Sequence, residues 1–198
     1  SNNNNIYLND VNYLSNIIGI NEWIDKNYWA AFKIAFSSKA FPYLSSSISS
    51  IIASVEGLSK KVLICDLDDT LWGGIIGDVG FENIKLGPET GHGEIYHDLQ
   101  KYIKSLIANG IVLSVASKND ERIAKNGFKN KFSILKFDDF VNFKANWERK
   151  SDNILNIIND LNLTEESVVF IDDNPAEIDE VKNILPLVTT ISYKKSPL

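Results

Sequence analysis

The sequence predicts an α/β fold built on a mainly parallel sheet, and three observations carry that expectation. From about residue 59 onward, short apolar runs alternate with longer amphipathic segments, the pattern of strands joined by crossover helices. Acidic, hydroxyl and amide side chains stand at the carboxyl ends of three of those runs, where open sheets of this class place their ligands. The composition, 44% hydrophobic and 23% charged over 198 residues, suits a globular chain with a sizeable core.

Residues 1–9 (SNNNNIYLN) lack periodicity and read as a disordered or tag-derived lead-in. A helical arm is expected over 10–58. Apolar residues recur at helical spacing from Asp10 to about Ile20 and from Asn21 to about Ser37, each run opened by an Asp or Asn cap. Pro42 should break the second run, and Ser45–Val55 reads either as a third helix or as a low-complexity connector. The range 59–198 holds the α/β domain. Its strands are expected at 61–67, 111–117, 140–143, 167–172 and 187–192, and its helices at 93–108, 121–126, 151–161 and 176–184. Gly110 closes the first of these helices.

Composition excludes several classes. There is no run of roughly 18–20 apolar residues that would span a membrane, and no basic stretch followed by an apolar run opens the chain as a secretory signal would. A cytoplasmic protein with no membrane association is expected. A net charge of −6 speaks against a general nucleic-acid binder, which needs excess Lys and Arg to displace phosphate counterions. One cysteine, Cys65, rules out an internal disulfide and fits a reducing compartment. The absence of Met suggests a processed product or a domain of something longer.

The chemistry gathers at three places. The first strand runs straight into Asp66-Leu67-Asp68-Asp69-Thr70, and in an extended chain Asp66 and Asp68 point to the same side. Two carboxylates held together repel, and a hard cation such as Mg²⁺ relieves that repulsion. Ser117-Lys118-Asn119 follows the second strand and Asp172-Asp173-Asn174-Pro175 the fourth. One Asp pair after a strand is commonly a turn or a helix cap; three such signals in register describe an acidic, oxygen-rich rim with a hydroxyl donor. A carboxylate that attacks a phosphate dianion also needs positive charge beside it. Lys144 and Lys150 are the candidates, although either alone reads as a solvated surface lysine.

The string KVLICDLDDTLWGGIIGDVG resembles the first motif of the haloacid dehalogenase superfamily. The continuation through LQKYIKSLIANGIVLSVASKND, FKANWERKSDNI, LNLTEESVVFIDDNPAEIDEV and LP resembles its FkbH-like branch, which makes glyceryl thioesters on acyl carrier proteins. The likeness covers about residues 59–188 and implies a Rossmann-like fold. By this resemblance Asp66 is the nucleophile that becomes an aspartyl phosphate, and Asp68 is the general acid and base. Thr70 steadies the loop beside the substrate, Ser117 bonds a phosphoryl oxygen, and Lys118, Asn119 and Lys144 complete the substrate-binding set. Lys150 neutralises the charge. Mg²⁺ would be held by Asp66, the Asp68 carbonyl, and Asp172 or Asp173, with Asp173 favoured. Asp69 stands where the branch commonly has Asn, a change read as tolerated.

Small-molecule phosphatases of the superfamily usually carry a cap domain between these motifs, yet only 46 residues (71–116) and 32 residues (118–149) are available here. A small flap is expected instead, around Trp72–Pro88, with Gly73, Gly74, Gly77 and Gly80 permitting a β-hairpin. An uncapped site leaves room for a macromolecule. Charge is uneven in a way that suits an acidic one: residues 118–150 hold nine basic and five acidic side chains.

The resemblance therefore implies a Mg²⁺-dependent glyceryltransferase/phosphatase working on 1,3-bisphosphoglycerate and an acyl carrier protein, within a polyketide-type assembly line. A plain aspartyl phosphatase and an inactive docking module are the alternatives, the second weakened by the intact residue set. Cys65 is a candidate for a transient glyceryl thioester, being a thiol next to the nucleophile. Strand alternation argues the other way, sending Cys65 into the core.

Overall fold

The computed structural model describes residues 6–193, so residues 1–5 of the expected lead-in lie outside the described residues. The chain divides into two compact units, 1–59 and 60–198.

The first unit contains α1 (Val11–Ile18), α2 (Ile20–Trp23), α3 (Lys26–Phe32) and α4 (Phe41–Val55). The helix expected over 21–37 is interrupted. Ile24 is extended, and the Asp25 carboxylate accepts the Asn27 N–H at 2.8 Å, so the side chain competes with the backbone and starts a new helix. Pro42 opens α4 rather than ending a helix, because the first helical turn has no use for its missing N–H. A small core of Trp23, Ala40 and Leu44 holds the unit together, with Phe36 edge-on to Trp23 at 5.3 Å.

The second unit follows the expected alternation closely: β1 (Val62–Cys65), α5 (Ile76–Val79), α6 (Gly91–Ala108), β2 (Val112–Ser117), α7 (Glu121–Gly127), β3 (Phe140–Ala145), α8 (Lys150–Asp160), β4 (Val168–Asp172), α9 (Pro175–Ile184) and β5 (Thr189–Ser192). The five strands form one parallel sheet in the order β3-β2-β1-β4-β5. The chain winds outward from β1 to β3, then returns to the other side of β1, and the carboxyl ends of β1, β2 and β4 meet at that reversal.

Alternation along β1 sorts its side chains between two cores. Leu63 and Cys65 join the cluster containing Tyr96 and Ile103 of α6, whereas Val62 and Ile64 join Ile154, Ile157, Ile178 and Val181 of α8 and α9. Caps set where the helices start. The Thr90 hydroxyl accepts the Gly93 N–H at 3.1 Å, Asp120 accepts Ile123 N–H at 3.0 Å, and Asn174 accepts Ala176 N–H at 3.0 Å.

The flap is present but is not a hairpin. Gly73 and Lys85 make one antiparallel bridge, and the short helix α5 fills the turn between them. Backbone N–H groups of Asp78, Val79 and Gly80 are spent on the carbonyls of Ile75 and Ile76, which leaves no ladder to extend. Among the described residues no helix is long and apolar enough to cross a membrane.

Trp72 is fully buried and lies against α7: a Cβ added at Gly127 would sit 2.6 Å from its ring. Because both neighbours are fixed by the core, Gly127→Ala should destabilise the protein by about 1–3 kcal/mol through overpacking. Urea unfolding would register this as a lower midpoint at unchanged slope, and an unchanged midpoint would mean that Trp72 can move away.

Candidate active site

The loop after β1 begins at Asp66, whose N–H continues the β1–β4 ladder to the Ile171 carbonyl at 3.0 Å. Its carboxylate is buried. Lys150, the first residue of α8 and 4% exposed, places Nζ 2.7 Å from Asp66 Oδ1 and also bonds Asp172 Oδ2. The ammonium thus joins the ends of β1 and β4. Burial pulls the Lys150 pKa down, but the Asp66 and Asp172 charges outweigh it and the net shift is upward. Burial pushes the Asp172 carboxyl up to about 6, helped by the Asp66 charge and opposed by Lys150 and by the Asn174 N–H, which reaches Asp172 Oδ1 at 2.8 Å.

Asp68 is caged by donors. Trp72 Nε1 donates to its Oδ1 at 2.8 Å, the Ile76 N–H to the same oxygen at 3.1 Å, and the Asn119 amide to Oδ2 at 2.8 Å. Burial raises the Asp68 pKa despite the lowering effect of these bonds, and the Asp66 and Asp69 charges add to the rise. Two carboxyl groups two residues apart therefore stand in different environments: Asp66 on a cation, Asp68 among neutral donors.

A cleft of about 540 Å³ opens above them, lined by Asp66, Asp68, Ser117, Lys118, Lys150 and Asp173 among others. Oxygen atoms of Asp66, Asp172 and Asp173 lie within 4.8 Å of one another. Three carboxylates set against one lysine leave negative charge in a buried place, and an all-oxygen donor set of that kind suits a hard divalent cation.

A family profile for haloacid dehalogenase-like hydrolases matches residues 52–184. The chain belongs to that family. A chain of known structure, the N-terminal part of protein BF1531 from Bacteroides fragilis containing a phosphatase domain complexed with Mg, is 41% identical. It superposes with a TM-score of 0.84 over 94% of this chain. This chain spans about half (49%) of the length of that one. Two more distant structures are a HAD family enzyme of Bacteroides thetaiotaomicron with magnesium and inorganic phosphate and a HAD-superfamily hydrolase of Geobacter sulfurreducens. The first is 16% identical with TM-score 0.47, covering 71% of this chain and 96% of its own; the second is 12% identical with TM-score 0.47, covering 70% and 92%. A search of the curated proteins finds no match.

Among the residues singled out from sequence, the haloacid dehalogenase-like fold brings Asp66, Asp68, Ser117, Lys118, Lys150, Asp172 and Asp173 to one cleft. Thr70 holds the loop as expected, but from a fully buried place outside the cleft lining: it donates to Asp66 Oδ2 at 3.4 Å and accepts the Asp173 N–H at 3.2 Å, so it ties the two acidic loops together and does not face substrate. Three further assignments need correction. Asn119 is spent on Asp68 rather than facing substrate. Lys144 points to Asp160, 3.3 Å away, because β3 is an outer strand and its side chain leaves the sheet beside α8. Cys65 is fully buried in the core on the side of the sheet opposite Asp66, its thiol pushed upward by burial and the Asp66 charge. A sealed, protonated thiol cannot serve as an acyl carrier in this fold.

Asp69 adopts φ +57° and accepts the Gly74 N–H at 2.7 Å, a left-handed turn position in which Asn and Asp are both enriched. Much of the basic excess in 118–150 is locally matched: Lys118 pairs with Glu177, Lys125 with Glu121 and Lys131 with Glu89. Sequence reasoning missed the Trp72–Asp68 bond, whose signal was the aromatic four residues past the acid, and the place of Trp147 on the cleft.

An unfolded aspartate titrates near ~3.9, whereas burial holds Asp172 at about 6. The stability linked to this proton is fully present below about pH 4 and is lost as pH rises through the folded value. In metal-free protein, wild-type stability should fall relative to Asp172→Asn across that window. Parallel pH curves in urea unfolding would show that Lys150 cancels the effect of burial.

Proposed function

We propose that the chain is a Mg²⁺-dependent aspartyl phosphatase whose site also completes glyceryl transfer from 1,3-bisphosphoglycerate to an acyl carrier protein, as the FkbH-like resemblance implies. The observation that supports the phosphatase chemistry is the buried Asp66–Lys150–Asp172 cluster with Asp68 caged beside it at the floor of an open cleft. A phosphatase domain bound to Mg in the 41%-identical Bacteroides fragilis chain agrees with it.

In this reading an Asp66 oxygen attacks phosphorus, the bond from phosphorus to the ester oxygen breaks, and that oxygen takes the proton carried by Asp68. Burial and the Asp66 and Asp69 charges push the Asp68 pKa upward, the direction that favours such a donation. Asp68 then removes a proton from water, which attacks the aspartyl phosphate and frees inorganic phosphate and Asp66. Lys150 holds charge against the phosphoryl oxygens, and the Ser117 hydroxyl at the end of β2 donates to one of them. Bound Mg²⁺, held by Asp66, the Asp68 carbonyl and Asp173, would neutralise the charge that builds up between carboxylates and phosphate. Asp172 is fully buried and Asp173 only partly so, which favours Asp173 as the direct ligand.

Glyceryl transfer is direct in this proposal, because Cys65 is sealed away. The carrier thiolate attacks the C1 carbonyl carbon of 1,3-bisphosphoglycerate, forming the C–S bond while the C1 phosphate leaves with the C–O electron pair. The remaining C3 phosphate is removed through Asp66.

Asp66→Asn keeps the shape but loses the nucleophile, so phosphate release should fall by several orders of magnitude. Chelator should do the same to wild type, with Mg²⁺ restoring turnover; near-normal rates in either condition would exclude aspartyl-phosphate chemistry. Intact-protein mass spectrometry of a pantetheine-loaded carrier, mixed with enzyme, Mg²⁺ and 1,3-bisphosphoglycerate, should show a glyceryl adduct. Phosphate release without that adduct would leave a plain phosphatase, the second reading that the site itself supports.

A further inference from the structure

Trp147 is 75% exposed, although it lines the cleft beside Lys150. A large aromatic left in water forfeits its burial energy, and exposed aromatics of this kind characterise binding surfaces. Its loop is also held firmly. The Asn146 N–H donates to the Ser117 carbonyl at 3.1 Å, the Asn146 and Asn153 side-chain amides bond each other at 2.8 and 3.1 Å, and the Glu148 N–H donates to Asn146 Oδ1 at 3.0 Å. Both residues flanking Trp147 are therefore fixed, which presents the indole from a rigid support rather than from a loose loop.

Ile75, 53% exposed at the start of α5, lines the same cleft from the flap. It too is anchored, because the next N–H, that of Ile76, is bonded to Asp68. Lys118 on the rim is matched by Glu177, Nζ lying 2.7 Å from Oε1, while Glu177 Oε2 is buried with no hydrogen-bond partner. The cleft is thus graded. Its floor carries the charges that manage a phosphoryl group, and its mouth offers two apolar side chains beside the Lys118–Glu177 pair.

We infer that Ile75 and Trp147 form an apolar clamp at the mouth of the cleft that grips the extended, uncharged arm on which a carrier protein presents its thiol. An anionic group would gain little beside a lysine already matched by Glu177, whereas an uncharged chain buries apolar surface against Ile75 and Trp147. The flap is too small to close over the site, so such an arm can enter while the protein bearing it stays outside. This inference rests on the glyceryl-transfer reading and assigns the residues that receive the acceptor.

The test uses the full chain with Mg²⁺, 1,3-bisphosphoglycerate and a pantetheine-loaded carrier, following carrier loading by mass spectrometry and phosphate release in the same samples. Trp147→Ala should lower the ratio of loading to release at least tenfold, through a higher KM for the carrier, and Trp147→Phe should recover most of it. Ile75→Ser should act in the same direction. If wild type loads the carrier and Trp147→Ala loads it with the same ratio, the clamp is wrong while the transfer reading stands. If wild type releases phosphate and never loads the carrier, the transfer reading fails and the clamp falls with it.

Discussion

One buried ammonium organises the site. Lys150 sits between Asp66 and Asp172, bonded to both and almost wholly out of water. Without it two carboxylates would face each other at the edge of a sheet, each bearing the desolvation cost of burial with no opposite charge near. The rest of the arrangement follows from placing that lysine. Arg149 and Lys150 begin α8, the Ser151 hydroxyl bonds Glu180 of α9 at 2.6 Å, and the Ile154, Ile157 and Ile158 face of α8 packs into the core under β1 and β4. The apolar face of the helix sets its height on the sheet, and that height delivers the ammonium to the strand ends.

The same economy appears around Asp68. Its cage draws one donor from the helix-like turn that follows β1, one from the flap and one from the loop after β2. Donors four, eight and 51 residues along the chain thus converge on a single carboxyl group, so the flap is tied to Asp68 rather than merely adjacent to it. Trp72 serves twice, as a donor through Nε1 and as a core ring against Phe128 at 5.3 Å. Among the described residues the segments 71–116 and 118–149 hold no inserted cap domain, so the tie between Asp68 and the flap does not depend on one.

The expectation for Cys65 shows how far proximity in sequence can mislead. Next to Asp66 in the chain, it faces the core on the opposite side because strand neighbours alternate. Asn119 was expected in the substrate-binding set and instead supports Asp68, whereas Thr70 steadies the loop as expected, by joining Asp66 to Asp173. Lys144 and Lys150 could not be separated by charge alone; the strand carrying Lys144 lies at the outer edge and the helix carrying Lys150 opens at the cleft.

By itself the sequence determined the α/β class, the five strands within a residue or two, and the motifs that bring Asp66, Asp68, Ser117, Lys150, Asp172 and Asp173 to one end of the sheet. These are legible because periodicity, caps and strand-end placement are local properties that neighbouring residues impose on one another. Only the tertiary structure decided the form of the flap, the break of the helix after Trp23, the partners of Thr70 and Asn119, and the exposure of Trp147. The partners of Thr70 and Asn119 depend on groups far apart in the chain, and the helix break and the flap on side chain and backbone competing for the same local donors. No local pattern records the outcome of that competition.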